Sequence, residues 1–92
     1  MSSLDAQRPR RSLRTESRRT GDDVYVVRLN GQVIELDGPA GMFWRLFDGR
    51  LSVTEAAAAV ASCYDAPPDV VEADAGEFVE DMIGRGFLVA DP

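Results

Sequence analysis

The groups in this chain that could do chemistry are sixteen carboxylates, ten guanidinium groups and one thiol, Cys63. There is no His, so the usual general base is missing, and a single Cys cannot build a zinc site. No GxxxxGK(S/T), GxGxxG or GxSxG pattern occurs, which removes the common phosphate-cradling loops and the nucleophile elbow. Catalysis by the chain alone is not expected, and no cofactor or metal is implied. Cys63 lies late in an apolar helical stretch and reads as a small buried hydrophobe, not as a redox centre. What remains is recognition, by backbone groups along a strand and by carboxylates beside it.

The charges are divided along the chain. Residues 1–20 carry six arginines against two carboxylates, and residues 21–92 carry four against fourteen. An acidic body repels phosphate backbones, so no nucleic acid partner is expected. A basic or amphipathic peptide is better received. No apolar run approaches the roughly 18–20 residues needed to span a bilayer, so no membrane partner is expected either. The N-terminus lacks the apolar core of a secretory signal, and one Cys fits a cytoplasmic protein without disulfides.

The elements that must position these groups can be read in order. Residues 1–10 are polar and are expected to form a disordered basic tail. Residues 11–18 (RSLRTESR) alternate weakly, predicting a short first strand at a sheet edge. Residues 22–29 (DDVYVVRL) and 32–37 (QVIELD) flank Asn30-Gly31, the preferred pair for a two-residue type I′ hairpin. Around that turn Leu29 opposes Gln32, Val27 opposes Ile34 and Tyr25 opposes Leu36. Gly38-Pro39 then ends the strand. Ala40, Phe43, Trp44 and Phe47 fall at helical spacing within a helix over 39–48, with Asp37 as its expected N-cap. Ser52 and Glu55 form a capping box for a second, alanine-rich helix over 53–64. Pro68 or Asp69 starts a third, running to about Arg85, with Gly86 as its C-cap. The result is an α+β domain, resembling a winged helix-turn-helix, in which a three-stranded antiparallel sheet is followed by three helices. It occupies residues 11–89, and 90–92 are expected as a tail.

The hairpin register points to a binding edge. Pairs flanking the turn are hydrogen-bonded and alternate with non-bonded ones. The N–H and C=O groups of Val33, Glu35 and Asp37 must therefore point away from the second strand. Nothing else in the sequence fills that edge, so an incoming peptide can add there as a strand, touching Val33, Ile34, Glu35, Leu36 and Asp37. On the third helix Val70 and Ala73 lie off the core stripe, so they could receive an apolar residue, and Asp74, Glu77 and Asp81 could meet a Lys or Arg. Trp44, Phe43, Phe47 and Phe78 are expected in the core.

Three stretches resemble one known family. L-D-G-P-A-G-M-F-W-R-L-F-D-G, residues 36–49, is similar to the "LN-x-x-A-x-x-I-W-x-L-x-x-G" segment of PqqD-like proteins. S-V-T-E-A-A-A-A-V-A-S-C-Y-D, residues 52–65, resembles their second helix. A-D-A-G-E-F-V-E-D-M-I-G-R-G-F-L, residues 73–88, matches their ending, with Asp74, Phe78, Gly86 and Leu88 in register. Asp37 stands where Asn is usual, and Gly76 interrupts the third helix at a cost of about 1 kcal/mol. The resemblance implies a recognition element for ribosomally synthesised and post-translationally modified peptides (RiPPs). Such elements bind the leader of a precursor peptide beside the third strand and against the third helix. The chain lacks the L-L-Y-P-E-like strand of PqqD proper. It is therefore read as the free-standing leader-binding protein of lasso peptide biosynthesis, serving a separate maturation protease and a cyclase. The alternatives are a PqqD-type chaperone for a quinone-cofactor precursor and a winged-helix DNA-binding regulator. The latter would need a basic recognition helix, yet residues 68–85 offer only Arg85.

Overall fold

The computed structural model describes residues 7–91. Its elements in chain order are β1 (Arg8–Arg11), β2 (Glu16–Gly21), β3 (Val24–Leu29), β4 (Gln32–Leu36), α1 (Gly38–Leu46), α2 (Val53–Tyr64), α3 (Pro68–Gly84) and β5 (Leu88–Asp91). The fold is α+β, with a three-stranded antiparallel sheet in the order β2-β3-β4 and a separate β1-β5 pair. Between β3 and β4 the turn residues Asn30 (φ 49°) and Gly31 (φ 86°) are both left-handed, as a type I′ turn requires. The register is the one read from sequence: Tyr25 opposite Leu36, Val27 opposite Ile34, Leu29 opposite Gln32.

One face of this sheet is buried by the helices. Val27, Leu29 and Leu36 meet a core in which Trp44, Phe47 and Phe87 are fully enclosed. Trp44 Nε1 donates to Ser17 Oγ at 2.9 Å, so burying the indole leaves no polar atom unpaired. Gly41 of α1 is a close-approach position. A Cβ there would lie 1.7 Å from the Asp23 carbonyl oxygen, so the helix packs backbone to backbone on the β2–β3 turn. Asp23 also ties its turn to α1 and α2 through its side chain: its Oδ1 sits 3.2 Å from Arg45 and its Oδ2 accepts from Tyr64 Oη at 3.1 Å. Burial, together with that carboxylate, raises the Tyr64 phenol above its usual range.

Helix ends follow the sequence signals, with one exception. Ser52 Oγ accepts from Glu55 N at 3.1 Å, and Glu55 Oε1 accepts from Ser52 N at 2.9 Å, completing the capping box. At the end of α3, Gly86 N donates to Ile83 O and Phe87 N to Met82 O, the paired bonds of a Schellman motif with left-handed Gly86. Asp37 sits at the N-cap of α1, but its side chain makes no cap bond. That helix ends at Leu46, and Phe47 is its C-cap.

Three expectations are corrected. The first strand does not run over 11–18. Arg11 closes β1, Ser12–Thr15 form a turn in which Thr15 N donates to Ser12 O, and β2 begins at Glu16. Residues 8–10, expected in a disordered tail, are strand. Pro9 is buried, Gly49 N donates to Pro9 O, Val53 N to Gln7 O and Ser12 N to Phe87 O. Backbone bonds to distant loops order this segment, and β1 pairs with β5, so Ala90 and Asp91 are strand too. The rest of the expected tails, residues 1–6 and 92, lie outside the described residues. Finally, Cys63 is exposed, not buried. It stands in the last turn of α2, past Ala61, the last buried residue of that helix.

Candidate peptide-binding edge

β4 is an edge of the sheet, and among the described residues no strand pairs with its outer side. Because Leu29–Gln32, Val27–Ile34 and Tyr25–Leu36 use the inner hydrogen bonds, the N–H and C=O of Val33 and Glu35 face outward. Alternation divides the side chains. Ile34 is half-buried and Leu36 buried on the helix side, whereas Val33, 54% exposed, and Glu35 stand on the outer face opposite Arg28 and Val26. Asp37 follows, exposed, where the strand turns into α1.

The expected second wall, α3, packs mainly on α2 and β5. Its relation to the sheet is fixed at two points. Phe78 stacks on Phe43 of α1, with ring centroids 5.8 Å apart, and α1 itself packs on β3 and β4. At the C-terminal end, a Cβ on Gly86 would lie 3.4 Å from Leu29 Cδ2 at the hairpin end of β3. On the opposite flank of the helix, Glu72 accepts from Thr54 of α2 at 3.1 Å. The flank carrying Phe78 is thus turned toward α1.

Helical spacing decides which expected wall residues share that flank. Val70, Asp74, Phe78 and Asp81 follow one another at i, i+4, i+8 and i+11, forming one stripe. Ala73 and Glu77 are rotated further toward solvent. All five expected residues are exposed, Val70 at 53%. Asp81 is 3.1 Å from Arg85 in an exposed i,i+4 pair, while Asp74 and Glu77 have no ion-pair partner among the described residues. Phe78, assigned to the core from sequence, is half-buried, so part of its ring lies on the stripe. Its spacing from Asp74 and Asp81 was the available signal.

β4 offers unpaired strand groups and the half-buried Ile34, and α3 offers the half-buried Phe78 and a row of exposed carboxylates. Such a surface suits an extended peptide with apolar anchors and a basic residue. The profile of the family described as "Coenzyme PQQ synthesis protein D (PqqD)" matches residues 12–88. The chain belongs to the PqqD family. Among solved structures, a PqqD-family domain shares the fold with a TM-score of 0.71 and 26% identity, over 88% of this chain and 87% of that one. It is the solution NMR structure of the PqqD truncation of Methylobacterium extorquens PqqCD, described as a functional and stand-alone RiPP recognition element. No curated protein matches the chain. Strand β1 lies outside the stretch matched to the PqqD family, and β5 contributes only Leu88.

Proposed function

We propose that this chain is a non-catalytic adaptor that binds the leader of a ribosomally made precursor peptide. The leader adds as a strand to β4, against the Phe78 flank of α3, and the adaptor presents the precursor to a separate maturation enzyme. The observation that carries this reading is the open β4 edge of a PqqD-family domain, with Val33 and Glu35 offering outward backbone groups. Four ladder bonds at about 0.5–1.5 kcal/mol net each and two or three apolar anchors at about 1.5–3 kcal/mol each give a gross gain of roughly 5–15 kcal/mol. Ordering the leader takes back about 2–5 kcal/mol, and association costs more. Micromolar to nanomolar affinity is the expected range.

Titration of the full chain with a labelled leader peptide tests the reading. Val33→Pro removes one outward N–H and weakens leader binding about tenfold. Unchanged affinity in a variant with an unchanged circular dichroism spectrum would exclude strand addition. The enzyme served is proposed to be a leader protease, in the manner of lasso peptide pathways, because the chain lacks the L-L-Y-P-E-like strand of PqqD proper. A second reading, delivery of a quinone-cofactor precursor, is favoured by the PqqD description of both the matched family and the matched structure. Reconstitution with each class of enzyme separates them: leader cleavage supports the first, modification without cleavage the second. Among the described residues no helix is long and apolar enough to cross a membrane, and the proposed site of action is the cytoplasm.

A further inference from the structure

The sheet has a second open edge, and it is built from different material. All six residues of β2 are exposed. Since Val27 spends its backbone groups on β4, the bonded pairs between β2 and β3 are Glu16–Arg28 and Arg18–Val26. The N–H and C=O of Ser17 and Arg19 therefore point outward, as those of Val33 and Glu35 do on β4. Along this edge lies an open depression of about 740 Å³, lined by Glu16, Arg18, Arg19, Thr20, Val26 and Arg28. Ser17 links it to a neighbouring depression of about 350 Å³ beside Leu13.

Two features give this surface a chemistry. Arg14, Arg18 and Arg28 make no ion pair among the described residues, and Arg19 has only an exposed contact with Asp22 at 3.6 Å. Leu13 is 94% exposed, yet its turn is fixed. Thr15 Oγ1 and N both donate to Ser12 O, at 2.6 and 3.1 Å, and Arg14 N donates to Ser12 Oγ at 3.1 Å. Arginines on an edge strand can serve merely to prevent unwanted pairing. That role does not call for a recess floored by Val26, nor for an apolar knob held out by three hydrogen bonds.

We propose that the β2 edge docks an acidic, extended segment of the enzyme that acts on the leader-bound precursor. This rests on the reading of β4: an adaptor whose β4 edge is filled must meet its enzyme elsewhere, and β2 is the edge on the far side of the sheet. Charge fixes the occupant. Arg14, Arg18, Arg19 and Arg28, against Glu16 as the one carboxylate lining the recess, attract a carboxylate-rich segment, while Asp69, Asp74, Glu77 and Glu80 on α3 repel it. An acidic partner is thereby steered away from the leader groove and onto β2. Ser17 and Arg19 supply the ladder bonds, Arg18 and Arg28 pair with acidic side chains on the outer face, and Leu13 enters an apolar pocket of the partner.

The test uses the ¹⁵N-labelled full chain and two synthetic peptides, one alternating Glu and Val, the other Lys and Val. The Glu–Val peptide is expected to move the amide resonances of residues 13–21 and 26–28 and to leave 33–37 and 70–81 in place. The Lys–Val peptide leaves residues 13–21 unmoved. Arg18→Glu with Arg28→Glu reverses this preference. Shifts confined to β4 and α3, no shift at all, or unchanged Glu–Val binding by the double variant would each overturn the proposal. So would a DNA duplex binding residues 13–21 more tightly than the acidic peptide. With the purified processing enzyme in place of the peptides, the double variant slows precursor processing about tenfold or more, and an unchanged rate overturns the assignment to the enzyme. Leader titration of the same variant keeps the two readings apart. Retained leader affinity with lost processing isolates β2, whereas a native chain that fails to bind leader at β4 refutes the adaptor itself.

Discussion

The two edges of one three-stranded sheet make opposite use of the same backbone. β4 turns Ile34 and Leu36 toward the core and leaves Val33 and Glu35 on the outer face. β2 is exposed throughout, carries Arg18 and Arg19, and is anchored to the core by the bond from Trp44 to Ser17. The difference shows that an open edge gains its identity from what lies beside it. Both edges expose backbone groups at alternate residues, but the β2 edge is lined by guanidinium groups, whereas the carboxylates of α3 are the proposed neighbours of β4. On the two proposals made above, a domain with net charge −6 would address partners of opposite charge at opposite edges of one sheet.

The largest expected effect breaks the frame that holds both edges. Gly41→Ala places a methyl group 1.7 Å from the Asp23 carbonyl oxygen, and neither α1 nor the β2–β3 turn can yield without shifting backbone. A loss of about 3 kcal/mol in unfolding free energy is expected by urea denaturation. A loss under about 0.5 kcal/mol, typical of an ordinary surface substitution, would mean that α1 is not seated on that turn.

The arginines at the N-terminal end should divide next. Arg11 Nη1 donates to the carbonyl oxygens of Trp44 and Arg45, at 2.6 and 2.9 Å, capping the C-terminal end of α1. Arg11→Ala is expected to cost about 2 kcal/mol, while Arg18→Ala stays within about 0.5 kcal/mol. Equal effects would erase the distinction between an arginine that builds the fold and one that only faces solvent. From sequence these residues were indistinguishable members of one basic run. The hairpin was legible because its signals are local: Asn30-Gly31 dictates the turn, and alternation around it dictates the register. β1 was not, because its order comes from backbone bonds to residues such as Phe87, Gly49 and Val53, far along the chain. No side-chain pattern within 8–11 announces them. The β4 half of the candidate site was readable for the same reason as the hairpin. On α3, the sequence reading set Val70, Ala73, Asp74, Glu77 and Asp81 off the core stripe without separating Val70, Asp74 and Asp81 from the other two. It could not show that Phe78, apparently a core residue, keeps part of its ring on that stripe.

A pair of proline substitutions sharpens the contrast between edges. Val33 and Arg19 occupy equivalent outward-bonding positions on β4 and β2. Val33→Pro should weaken leader binding about tenfold, and Arg19→Pro should leave it unchanged while weakening the acidic peptide. If Arg19→Pro lowers leader affinity as much as Val33→Pro does, the leader does not distinguish the edges, and the assignment of β4 falls.

The smallest effect concerns a helix cap at neither proposed edge, so it checks that stability and binding separate. In the capping box of α2, hydrogen bonds from Ser52, the backbone N–H foremost, hold the Glu55 carboxyl below its usual range. A carboxyl whose folded pKa lies below its unfolded one adds stability above the unfolded value and loses it as pH falls through the folded one. The cap therefore contributes at neutral pH and fades as the solution is acidified below about pH 5. Ser52→Ala should cost about 1 kcal/mol at pH 7 and less in acid, where the box is already weakened. Thermal melts of both proteins across that range should converge as pH drops. Leader affinity at pH 7 should not move, because the cap touches neither β4 nor the Phe78 flank of α3. If it does move, α2 transmits strain into α3, and the two edges are coupled through the helices, not only through the strands between them.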